Sequence, residues 1–79
     1  MTIDFNIMKE NLPRDYAVII RKRTKNHPRF KKNGGASKSY IIKVANQERE
    51  SDDILNELVK LANETKTKRE EIAANAKNL

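Results

Sequence analysis

The sequence has no cysteine, one histidine, and only two glycines and two prolines among its 79 residues. Without cysteine, neither a disulfide framework nor a thiolate metal site can form, so we expect no bound metal and no cofactor. No apolar run approaches the roughly 20 residues that span a bilayer. Residues 1–13 also lack the basic and apolar regions of a secretory signal. We therefore expect one small cytoplasmic domain that does not enter a membrane.

Catalytic patterns are missing as well. The chain has no paired carboxylates suited to a pocket, no Ser-His-Asp order and no Gly-rich phosphate loop after a strand. A chain this short also has little room for a buried catalytic pocket. We therefore do not expect an enzyme, and no catalytic residue is assigned.

Positive charge is abundant, and it is gathered in one half of the chain. The net charge is +6, with 11 Lys and Arg against two acidic residues between Lys9 and Lys43. From Val44 to Leu79 the count is six basic against eight acidic residues. Charge needed only for solubility would be mixed along the chain. The polarisation therefore indicates a surface that binds a polyanion.

The first part of the chain predicts a short strand followed by a helix. Ile3, Phe5 and Ile7 alternate with polar neighbours, which is the period of a strand or of a loosely packed arm. A helix is then expected to begin near Pro13, where proline suits the first turn, and to run to about Thr24. Its basic last turn matches the negative end of the helix dipole.

Residues 25–35 predict a mobile basic loop with a hairpin-like turn, because Asn33 precedes two glycines and Asn-Gly favours turns. His27 stands before a proline and is expected to shape a turn. Arg29 is the best candidate for a narrow minor groove. Phe30 either lies over a sugar-phosphate backbone or folds back onto the core.

Two more helices are predicted after this loop. Ser37 is a good N-cap for a short helix that buries Ile41 and Val44, and residues 46–50 are polar enough to end it. A longer amphipathic helix follows a second cap and two aspartates. Its apolar positions have helical spacing: Ile54, Leu55, Leu58, Val59, Leu61 and Ala62. Residues 64–79 have fewer apolar positions, and they extend this helix, form another, or fray.

The segments 20–24 and 35–44 together resemble a helix-turn-helix of the phage repressor and Cro-like type, as found in short phage and prophage regulators. In that pattern a helix ends in Thr, a Gly makes the turn, and a small apolar residue precedes Ser. Apolar residues follow at the fifth and eighth positions from Ser, which here are Ile41 and Val44. The resemblance covers about residues 12–64. Two departures are the extended loop inside the motif and Arg21, where the family has a small residue.

The resemblance implies an all-α domain of three or four helices that reads double-stranded DNA with the helix starting near Ser37. We expect an N-terminal arm (1–11), a helix-turn-helix domain (12–64) with an inserted loop (25–35), and a C-terminal helical extension or tail (65–79). Homodimerisation, typical of such proteins, is an open expectation. The residues predicted to contact DNA are Arg21, Arg23, Lys25, Arg29, Lys31, Lys32, Ser37, Lys38, Ser39, Tyr40 and Lys43.

Two other functions remain open at this point. A small basic helical chain also suits RNA binding. In that case duplex DNA would not displace structured RNA from the protein. Alternatively, the chain is a protein-interaction module, such as a phage inhibitor, with the acidic-edged helix over residues 52–63 as its working surface. Short polar side chains and long donors at the start of the Ser37 helix favour DNA over both.

Overall fold

The computed structural model of the chain describes residues 4–77 and places them in a small all-α architecture. No strand occurs within these residues. The predicted fold class is therefore confirmed, while Ile3, noted above in the alternating pattern, and residues 78–79 of the predicted C-terminal extension lie outside the described residues. The four helices are α1 (Phe5–Asn11), α2 (Tyr16–Arg23), α3 (Lys38–Ala45) and α4 (Asp52–Lys77), and a 3₁₀ turn (Lys31–Asn33) precedes α3.

The predicted N-terminal strand or arm is wrong, because the segment forms α1. Asp4 caps this helix by accepting hydrogen bonds from the N–H groups of Asn6 and Ile7 at 3.0 and 3.2 Å. Met8 and Leu12, four residues apart, are buried, whereas Ile7 is 53% exposed. The spacing of the buried residues is therefore helical, and the alternation of apolar residues does not decide the structure.

The two central helices form where the sequence predicts them. A turn at Pro13 leads into α2, and Thr24 ends it, so Pro13 lies just before the helix and not within it. Ser37 caps α3 by accepting a hydrogen bond from the Tyr40 N–H at 3.2 Å. Ile20 of α2 and Ile41 of α3 are fully buried. Together these residues hold α2 and α3 in contact across the inserted loop.

The long helix α4 provides the surface on which the rest of the domain packs. It contacts α1, α2 and α3, and Ile54, Leu58, Leu61 and Ala62 in its first half are buried. Residues 66–76 are exposed, and among them Arg69 still reaches α1 by donating to the Glu10 carbonyl oxygen at 3.2 Å. A helix of 26 residues is about 39 Å long, which accounts for most of the 48 Å long axis of the molecule. Residues 64–77 therefore extend the third predicted helix, without a break.

Within the part of the chain that the structure describes, no helix combines the length and apolar character needed to cross a bilayer.

Candidate nucleic-acid interface

Helix α3 has one buried apolar face and one exposed polar face. Ile41, Val44 and Ala45 are buried among residues of the other helices, as the sequence predicts for the first two. The exposed polar side chains are predicted DNA contacts, namely Ser37, Lys38, Ser39 and Lys43, and one apolar side chain, Ile42, is 41% exposed among them. Because the apolar face is packed, these polar groups are held on a fixed element and not on a free segment.

Tyr40 differs from its neighbours on α3. Its side chain is half-buried, and its ring lies 6.4 Å from the ring of Phe30, centroid to centroid. Phe30 itself is partly buried against the core. The structure therefore shows Phe30 folded back onto the core, which is one of the two alternatives given for it above. Tyr40 supports this packing and offers only the exposed part of its ring to a ligand.

Thr24 joins the two ends of the inserted loop. Its hydroxyl accepts a hydrogen bond from the Ala36 N–H at 2.9 Å and lies 2.9 Å from the Ile20 carbonyl oxygen, to which it donates. The residue is only 2% exposed, so both bonds are shielded from water. The chain therefore leaves α2 and returns to nearly the same point before α3. The intervening residues do not separate the two helices.

Gly35 allows this close return. A Cβ atom at this position would lie 2.2 Å from the carbonyl oxygen of Arg21, so no larger residue fits against the backbone of α2. The Arg21 guanidinium lies over the loop, where it donates to the carbonyl oxygens of Asn33 at 3.3 Å and Ala36 at 3.4 Å.

Residues 25–35 form no hairpin of paired strands, although the expected Asn-Gly turn is present. Gly34 follows the 3₁₀ turn with a φ of +70°, as the Asn-Gly signal predicts. The flanking residues, however, form successive turns in which the His27 carbonyl accepts from the Phe30 and Lys31 N–H groups at 2.9 and 2.8 Å. Pro28 and the clustered cations leave no alternating apolar pattern that two strands could pair. The loop therefore folds as turns.

Arg29 is directed toward α4. Its Nη1 donates to Asp53 Oδ2 at 2.9 Å, and His27 Nε2 lies 3.6 Å from the other carboxylate oxygen. The hydrogen bond from Arg29 lowers the pKa of Asp53 below its ordinary value. His27 Nδ1 also accepts the Arg29 N–H at 3.2 Å, which agrees with the turn-shaping role expected for this histidine. The predicted minor-groove reader is therefore engaged within the protein.

The predicted contact residues thus divide by type. Arg23 pairs with Glu64 of α4 at 2.6 Å, so all three predicted arginines have partners inside the molecule. Within residues 4–77, the predicted lysines form no ion pair, and all are exposed: Lys25, Lys31, Lys32, Lys38 and Lys43. The lysines and the serines of α3 therefore make up the surface that is open to a polyanion.

One cation near α3 was missed by reasoning from sequence. Arg49 lines a shallow depression together with Ser37, Ser39, Tyr40, Lys43 and Glu50. Gln47, with a φ of +64°, turns the chain so that the Arg49 N–H donates to the Lys43 carbonyl at 3.3 Å. The polar run after α3 predicted only the end of the helix. The sequence does not indicate this return, because the left-handed residue is Gln47 and not the Gly or Asn typical of the end of a helix.

Neither a scan against protein-family models nor searches of curated proteins and of solved structures found a match to this chain.

Proposed function

We propose that this protein binds double-stranded DNA through the exposed face of α3 and acts in the cytoplasm as a transcriptional regulator of the phage or prophage type. One observation supports this above all others. Short hydroxyl side chains and lysines without ion pairs lie on the exposed face of a helix whose opposite face is buried. Such a helix keeps its shape when it enters a groove, because the core holds it in place.

The dimensions and chemistry of α3 suit the major groove. An α-helix with side chains is about 10–12 Å wide, and the major groove of B-DNA is about 12 Å wide. At the start of α3, Ser37 and Ser39 can bond base edges or phosphates, and Lys38 can reach a guanine edge. Lys43, about one turn further along, suits a phosphate. The backbone N–H groups of the first turn also favour phosphate.

The closed loop supports the proposal because it keeps α2 beside α3. In helix-turn-helix proteins the first helix crosses the DNA backbone while the second enters the groove. This division requires the two helices to pack against each other. The Thr24–Ala36 hydrogen bond and the Gly35 contact preserve that packing despite the inserted residues.

A competition experiment separates DNA binding from the alternatives. A labelled random-sequence duplex is titrated with the protein, and unlabelled duplex or structured RNA is then added. We expect duplex DNA to displace the probe at lower concentration than RNA. Displacement by RNA at the lower concentration would favour the RNA-binding function. If the protein binds neither nucleic acid, the result would favour a function as a protein-interaction module.

Two matched variants locate the binding face in the same titration. Lys38→Ala/Ser39→Ala removes one charge and one hydroxyl from α3, and Thr67→Ala/Lys68→Ala removes the same groups from the exposed half of α4. With a duplex enriched from a random library by the wild-type protein as the probe, we expect the first pair to weaken binding by about tenfold or more, since one good base contact contributes about 1–3 kcal/mol. The second pair should bind nearly as wild type does. Equal effects of the two pairs would contradict the placement of the site on α3.

A further inference from the structure

We propose that the inserted loop, residues 25–35 and here called the basic lobe, binds DNA backbone phosphates next to the segment contacted by α3, without reading bases. This inference rests on duplex binding by α3, and it adds a second contact to that site. It differs from the sequence-based expectation in two respects. The lobe is held in a defined position, and its lysines, not Arg29, make the contact.

The lobe is fixed at several points. Its two ends are joined through Thr24 and Ala36, and the Arg21 guanidinium holds the carbonyl oxygen of Asn33. On its other side, Arg29 bonds Asp53 at the start of α4. These contacts reach α2 and α4, so the lobe is attached to the body of the domain. A cationic segment fixed in this way loses less conformational entropy on binding than a free one.

The lobe lies beside the start of α3. Phe30 packs near Tyr40, and Lys31 follows Phe30 directly in the chain. Lys32 is five residues before Ser37, a separation of at most about 17 Å even in extended chain. A duplex lying against the first turn of α3 therefore brings its neighbouring phosphates within reach of these lysines.

The type of cation decides what the lobe can recognise. Arginine forms the bidentate contacts that read guanine, but Arg21 donates to a carbonyl oxygen of the loop and Arg29, on the surface, pairs with Asp53. Lys31 and Lys32 are exposed and have no ion pair within residues 4–77. Lysine acts as a compact point charge that suits phosphate and carries no base information by itself. The lobe therefore adds affinity that is independent of sequence.

The test is the salt dependence of binding, measured by fluorescence anisotropy on two duplexes. One is a duplex enriched from a random library by the wild-type protein, and the other is a scrambled duplex of the same composition. Lys31→Ala/Lys32→Ala is compared with wild type and with Lys66→Ala/Lys68→Ala, which removes the same charge from exposed positions on α4. Circular dichroism melts check that all three proteins are equally folded.

We expect the lobe variant to make the slope of log K against log salt less steep by about two, since each phosphate contact contributes about 0.9. The dissociation constant should rise by the same factor on both duplexes, and the α4 variant should keep the wild-type slope. A lobe variant that matches the α4 variant would overturn the inference while leaving binding by α3 intact. A loss confined to the enriched duplex would overturn it too, because the lobe would then read bases. If the wild type binds neither duplex, the proposed function itself fails.

Discussion

Gly35 is the residue at which the inserted loop meets the backbone of α2. Its φ is +111°, and a Cβ atom there would lie 2.2 Å from the Arg21 carbonyl oxygen. We expect Gly35→Ala to lower the free energy of unfolding by about 3 kcal/mol, because backbone strain and a clash with α2 act together. Urea denaturation followed by circular dichroism measures this change.

The neighbouring glycine provides the control. Gly34 has a φ of +70°, but the nearest atom to its Cβ position is Arg21 Nη2 at 3.8 Å, so space is available. Gly34→Ala should therefore cost only about 1–2 kcal/mol, the ordinary penalty for a left-handed residue with a side chain. Equal losses in the two variants would contradict the close approach of the lobe to α2.

Asp53 links the lobe to α4, and its pKa is lowered mainly by the hydrogen bond from Arg29. A carboxyl group with a lowered folded-state pKa adds stability above its unfolded pKa, about 3.9 for Asp, and loses it as pH falls through the folded value. We expect Asp53→Asn to lower the melting temperature at about pH 5, above the unfolded pKa of Asp, where the bond from Arg29 to the ionised carboxylate adds stability. The difference from wild type should disappear in stronger acid.

Asp52 is the matched control for this titration, because it is adjacent, exposed and forms no ion pair within residues 4–77. Asp52→Asn should not lower the melting temperature as Asp53→Asn does, because Asp52 does not bond Arg29. A melting-temperature difference for Asp53→Asn that grows as the solution is acidified would show that Arg29 does not hold this carboxylate.

At the residue scale, the sequence predicts burial and capping better than it predicts ion pairs. The cap at Ser37 and the burial of Ile41 depend on residues within one helical turn, so local spacing identifies them. The partners of Arg23 and Arg29 are 41 and 24 residues away. Charge in a sequence indicates sign and density, but only the packed fold decides which cations remain free.

At the scale of single helices, α1 shows why a short pattern is ambiguous. The spacing of Phe5 and Ile7 fits a strand. The spacing of Phe5, Met8 and Leu12 fits a helix equally well. Packing against α4 and the cap from Asp4 select the helix. The longer apolar repeat at the start of α4 leaves no such ambiguity, so that helix is predicted correctly.

Helix α4 contains a packed half and an exposed half, which can be compared by equivalent substitutions. Leu61 is buried, and Ile72 is 59% exposed. We expect Leu61→Ala to lower the free energy of unfolding by about 3 kcal/mol, and Ile72→Ala to change it by less than about 0.5 kcal/mol. Urea denaturation at two protein concentrations makes the comparison. A large, concentration-dependent loss at Ile72 would indicate that a second copy covers this face.

At the scale of the whole molecule, the fold redistributes the charge that the sequence displays. Part of the basic half of the chain is neutralised by α4, which pairs Asp53 with Arg29 and Glu64 with Arg23. What remains open is a surface of lysines and serines around α3. The candidate site is therefore smaller than the basic segment of the sequence. The ion pairs that reduce it join residues far apart in the chain, so local sequence patterns do not predict them.

Selection from a random duplex library tests the central claim, that the exposed face of α3 reads DNA, most directly. The library is enriched in parallel with wild type, Lys38→Ala/Ser39→Ala and Thr67→Ala/Lys68→Ala, and the recovered sequences are compared. We expect wild type and the α4 variant to enrich the same site. The α3 variant should lose that preference while retaining weak binding through its remaining lysines. No enrichment by wild type, or unchanged enrichment by the α3 variant, would contradict the account.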